Sequence, residues 1–90
     1  MNMIEGKTST GFAFTIPKER LDNMELLDAL AEADNGNVLA VSNAVTLLLG
    51  KDQKKTLYDN LRTKAGNVPV AAVSAAVREI LSGGVQEKNS

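Results

Sequence analysis

The acidic side chains Glu25, Asp28, Glu32 and Asp34 recur at close to helical spacing. Paired carboxylates on one helix face can serve as general acid and base, or hold a cation. Acid–base work requires an apolar pocket that sets their proton affinities apart. Nothing in the surrounding residues suggests such a pocket, so the four are read as a water-facing side. Gly6-Lys7-Thr8 has the last three residues of a phosphate-binding loop but not its earlier glycine, and it falls in an expected hairpin. Gly83-Gly84 follows an expected helix instead of opening one, which removes it as an anion cradle. The chain has no Cys and no His. Serine and threonine nucleophiles therefore lack their usual base, no thiolate can form, and the commonest metal ligand is missing. The sequence predicts a protein that is not an enzyme, with no cofactor and no metal.

A chain without such chemistry acts through its surface, and one stretch dominates how that surface is built. From Val38 to Leu49 apolar residues run nearly all the way round a helical wheel, which calls for a helix enclosed by others. The run is short of the roughly 20 apolar residues that cross a bilayer and contains Ser42, Asn43 and Thr46, so no membrane partner is expected. Asn37 can cap this helix and Gly50 can end it.

The other elements are arranged around it. Residues 3–16 read as a β-hairpin, with Thr8-Ser9-Thr10-Gly11 as the turn and Phe12, Phe14 and Ile16 on one face of the second strand. The two phenylalanines either plug one end of a helical core or mark an edge strand that pairs with a partner or another copy. A first helix is expected from about Asn23 to Ala33. Asp22 would cap it, Glu25 would complete a capping box, and Leu21 would staple to Leu26. Its inward stripe would be Met24, Leu27, Leu30 and Ala31, with Leu26 beside them. A third helix, about Gln53 to Lys64 and capped by Asp52, would turn Leu57, Leu61 and Tyr58 inward. Its outer side carries Lys51, Lys54, Lys55, Arg62 and Lys64. Pro69 suits the first turn of a final helix, Val70 to about Ser82. That helix has Val70, Val73, Val77, Ile80 and Leu81 on one face, and Ala71, Ala72, Ala75 and Ala76 with Ser74 opposite. The expected fold is mainly α (α+β): an N-terminal β-hairpin followed by a compact four-helix domain over 1–84, with 85–90 as a mobile polar tail.

Ninety residues make one thin-cored domain, for which self-association is a ready source of added stability. The net charge of −1 hides an asymmetry. Residues 1–34 hold three basic and seven acidic side chains, and residues 35–90 hold seven basic and four acidic. Such a split suits docking between halves, or head-to-tail contact between copies, better than it suits nucleic acid. The basic third helix after a short turn leaves a small DNA-binding regulator as one alternative. The start Met1-Asn2-Met3-Ile4-Glu5 lacks the basic and apolar runs of a secretory leader, which makes the cytoplasm the expected location.

The order hairpin, acidic helix, apolar helix, basic helix, Pro-started helix resembles the tail assembly chaperone family of tailed bacteriophages and prophages. The resemblance rests on Gly11-Phe12-Ala13-Phe14-Thr15-Ile16, on Asn23 to Ala31, on Val45 to Lys55 and on Gly66-Asn67-Val68-Pro69-Val70, and it spans about residues 8–82. The last helix departs from the family pattern, with Ala75 and Ala76 where glutamates are common. The resemblance implies a homo-oligomeric protein of the bacterial host cytoplasm, absent from the finished virion. It would bind the long apolar tape measure protein and keep it from aggregating during tail assembly. It also implies a longer product made by a minus-one frameshift near Glu87-Lys88-Asn89. Under that expectation Val41, Leu48, Val73 and Val77, together with Phe12 and Phe14, are the candidate partner-binding residues. A head–tail connector or other virion structural protein is the alternative within phage biology.

Overall fold

A computed structural model gives the architecture and describes residues 2–82. The expected stop at Gly83-Gly84 and the tail at 85–90 lie outside the described residues. Strands β1 (Met3–Lys7) and β2 (Ala13–Pro17) form an antiparallel hairpin with Ile4 opposite Ile16 and Gly6 opposite Phe14. A single 3-10 turn over Lys18–Arg20 leads to α1 (Met24–Asp34), followed by α2 (Leu39–Leu61) and α3 (Val70–Ser82).

The hairpin forms where turn chemistry and alternation coincide. Gly11 takes a φ of 92°, Gly11 N–H donates to Thr8 O, and Thr8 Oγ1 accepts from Phe12 N–H at 3.2 Å. Phe12, Phe14 and Ile16 are all buried, and the two rings lie 6.3 Å apart at an interplanar angle of 26°. They pack into one core with Leu26 and Ala29 of α1, Val45, Leu48, Leu49 and Leu57 of α2, and Val73, Ala76, Val77 and Ile80 of α3. Burying a side chain of this size contributes about 1.5–3 kcal/mol.

Several expectations need correction. Among the described residues there are three helices, not four. The two segments anticipated as central and third helices abut in α2, with Gly50 at φ 78°, ψ 170° as a non-helical kink between them. Asp52 therefore lies inside α2 and does not cap a new helix; its carbonyl accepts from Thr56 Oγ1. The chain leaves α2 after Leu61 rather than at Lys64, because Thr63 closes a turn on Asn67 through both backbone and side chain. Asn23, not Asp22, caps α1: its Oδ1 accepts from Glu25 N–H at 3.0 Å. The buried stripe of α1 is also rotated from expectation. Leu26 and Ala29 are buried with Leu30 packed against them, while Met24 and Leu27 are exposed. On α3, Ala76 belongs to the inner face, not the Ala-rich outer one. Asn37 behaves as expected, its Oδ1 accepting from Leu39 N–H at 3.2 Å.

The helix expected to be enclosed is enclosed only along part of its circumference. Ala44, Val45, Leu48 and Leu49 are buried, but Val38 and Leu39 are 60% and 81% exposed. The neighbours on α2 are α1 on one side and α3 on another, and α1 and α3 scarcely meet. One sector of α2 is consequently left open between them.

Candidate functional site

That open sector is a groove of about 290 Å³. Leu30, Ala33 and Asp34 form one wall from the C-terminal half of α1; Ser74, Val77, Arg78 and Leu81 form the other from α3. Val41 and Ala44 of α2 make the floor. The small side chain of Ala44 lowers that floor and admits a larger apolar group from outside. Helical periodicity carries the apolar character beyond the lining residues. Leu27 stands one turn before Leu30, Val38 one turn before Val41, and Val70 one turn before Ser74, and all three are more than half exposed. Exposed leucines and valines that continue an apolar groove by helical spacing are informative where single scattered ones are not. Asp34 and Arg78 place one charge of each sign on opposite walls.

The candidate partner-binding residues divide between the groove and the interior. Val41 and Val77 line the groove, Val77 being otherwise buried. Leu48 and Val73 are buried in the core, as are Phe12 and Phe14. Periodicity could not separate these roles, because a core position and a groove position one turn away carry the same residue types. Leu27, Leu30, Val38, Val70 and Leu81 are not among the candidates that the sequence singles out, because helical spacing places each of them on a face turned inward.

The other chemistry-bearing sets are not assembled into sites. Glu25, Asp28 and Glu32 border a shallow cleft with Asn43 and Leu47, and all three carboxylates face water. Among the described residues no three acidic side chains converge to hold a metal ion. Much of the basic side of α2 is engaged within the chain. Lys55 and Arg62 each pair with Asp59 at 3.1 Å, which lowers the Asp59 pKa, the hydrogen bond from Lys55 contributing most and that from Arg62 next. Lys54 Nζ donates to Thr46 Oγ1 at 2.8 Å and Ser42 Oγ at 3.0 Å across the kink, and lies 5.6 Å from the centre of the Tyr58 ring. Among the described residues no helix is long and apolar enough to cross a membrane.

The hairpin is fastened to the helices by three side chains. Gln53 holds Thr15, Asn60 holds Thr10, and Glu79 holds Ser9. These ties fix the sheet against α2 and α3 and leave the groove as the open face of the helical layer.

Comparison of the chain with protein-family models, curated proteins and solved structures finds no match in any of the three.

Proposed function

We propose that the protein is a non-enzymatic assembly chaperone of the tailed-phage type, and that its groove takes up an apolar-striped helix of the tape measure protein. The observation that carries this reading is the groove between α1 and α3, with Val41 and Ala44 on its floor and Leu81 exposed on its wall, while Leu27, Val38 and Val70 are exposed one helical turn beyond its lining. A helix laid there would cover apolar surface on both partners, the arrangement by which amphipathic helices seat in hydrophobic grooves. The tape measure protein supplies the identity of that helix through the family resemblance. A long helical chain with an uncovered apolar stripe aggregates unless something shields it, and a small protein with surplus apolar surface is suited to the task. Asp34 and Arg78 on opposite walls would favour one orientation of a helix carrying opposite charges on its two flanks.

The test is co-expression with a long helical, apolar-striped protein of the tape measure type. The chain keeps that protein in the soluble fraction and co-purifies with it. Leu27→Asp, Val38→Asp and Leu81→Asp each abolish both effects, whereas Leu39→Asp, on the side of α2 away from the groove, leaves them intact. Retained capture in all three groove variants, or a long product that is equally soluble alone, defeats the proposal.

A further inference from the structure

The two edges of the hairpin are treated differently. On β2, Thr15 N–H and C=O are both taken by the Gln53 side chain, at 2.8 Å each, so they point away from β1. On the other ladder positions Lys18 N–H donates to Asn2 O, and Thr8 N–H donates to Phe12 O. In an antiparallel ladder these two classes alternate. Ile4 and Gly6 therefore exchange hydrogen bonds with Ile16 and Phe14, while Met3, Glu5 and Lys7 turn their backbone groups outward. Pro17, opposite Met3, fits the same alternation, since its missing N–H would have faced outward. Helix α2 closes the β2 edge with Gln53 and, at the turn, Asn60. Among the described residues nothing closes the β1 edge. It has no proline and no bulge, and Met3, Glu5 and Lys7 are all exposed.

We propose that the β1 edge is a dimerisation surface, on which a second copy of this chain pairs its own β1 antiparallel to form a continuous four-stranded sheet. The charges select the register. With the two-fold axis at Gly6, Glu5 stands opposite Lys7 of the second copy and Lys7 opposite its Glu5, each pair exchanging both backbone hydrogen bonds. Shifting the axis to Glu5 sets the two Glu5 side chains against each other, which is unfavourable. Glu5-Gly6-Lys7 is thus self-complementary about its middle residue. An isolated two-stranded sheet is also marginal by itself and gains from extension. This surface is separate from the groove, and the inference does not rest on the function proposed above.

The experiment is sedimentation velocity with light scattering on the full chain at low salt, from micromolar to millimolar concentration. A monomer–dimer equilibrium is expected. Glu5→Lys and Lys7→Glu each weaken it by about tenfold or more, and the double exchange Glu5→Lys with Lys7→Glu restores it to within about threefold. Glu5→Pro removes an outward N–H without touching the internal ladder, and it abolishes the dimer while the far-ultraviolet circular dichroism is retained. The charge variants alter only exposed side chains, so they keep the test decisive if the proline variant fails to fold. A monomer throughout the range, a dimer indifferent to the single charge reversals, or a double exchange as weak as the single variants would overturn the proposal.

Discussion

Gln53 meets Thr15 as one strand residue meets another: Thr15 N–H donates to Gln53 Oε1, and Gln53 Nε2 donates back to Thr15 O, both at 2.8 Å. Its Nε2 also lies 3.2 Å from Leu49 O, at the end of the first half of α2. One carboxamide therefore closes the sheet edge and also donates to a carbonyl beside the kink. Gln53→Glu keeps the size but replaces the donor with a carboxylate set against two carbonyl oxygens. The expected cost is about 1–3 kcal/mol. Urea unfolding measures it, and hydrogen exchange at the Thr15 amide should accelerate in step. A variant as stable as the parent would show that the contact contributes nothing net.

Gly50 sits at φ 78°, ψ 170°, a region that side-chain-bearing residues do not occupy without strain. A Cβ there would also stand 3.1 Å from Arg20 Nη1, whose guanidinium reaches Leu48 O at 3.4 Å. Gly50→Ala should destabilise the fold by about 1–3 kcal/mol. Removing the guanidinium with Arg20→Ala relieves the close approach but not the backbone strain, so Gly50→Ala remains costly in that background. Denaturant midpoints of the two single variants and the double variant decide the matter. Full rescue by Arg20→Ala would assign the whole cost to the side-chain contact.

The sequence was informative wherever a local rule had a single solution. Alternation at Phe12, Phe14 and Ile16 placed the inner face of β2, and Pro69 with the spacing of Val73, Val77 and Ile80 placed α3. It was ambiguous where two solutions fitted equally. On α1, residues 24, 26, 27, 30 and 31 are all apolar or small, so two neighbouring stripes satisfy helical spacing. Contact with α2 selects the one through Leu26, Ala29 and Leu30. The groove inherits that ambiguity, because the rejected stripe supplies Leu27 to its rim. The break at Gly50 was legible from its residue type, but not that the two helical runs would meet with one residue between them. Gln53–Thr15, Asn60–Thr10 and Glu79–Ser9 join distant parts of the chain and leave no periodic mark.

Leu57 and Leu39 give a paired test of where the core lies. Leu57 is fully buried and Leu39 is 81% exposed, although both are leucines of α2. Leu57→Ala should cost about 2–5 kcal/mol through lost transfer free energy and the cavity left behind. Leu39→Ser should fall within about 0.5 kcal/mol of the parent, as surface changes usually do. Urea unfolding at a single temperature compares them. Equal costs would mean that Leu39 is covered in solution, and a copy of the chain would be the first candidate for what covers it.

Glu79 carries the clearest pH dependence. Its carboxylate accepts from Ser9 Oγ and Ser9 N–H, both at 2.7 Å, and these hydrogen bonds hold its pKa below the ordinary glutamate range, the hydroxyl contributing most. The folded state thus binds this proton less readily than the unfolded chain does. The contact's contribution is complete above the unfolded-state value, about pH 4.3, and is lost as pH falls through the lower folded-state value. Asp59, lowered by Lys55 and Arg62, acts in the same direction. With no histidine in the chain, these groups predict a stability curve that is flat from about pH 6 to 8 and declines only in acid. Glu79→Gln removes the charge, so the parent's advantage over it should stay constant down to about pH 5 and shrink below that. Urea midpoints of the two proteins across the range supply the comparison. An advantage that persists undiminished at the acid end would show that Glu79 fastens the hairpin turn by shape and neutral hydrogen bonding, with no part played by its charge.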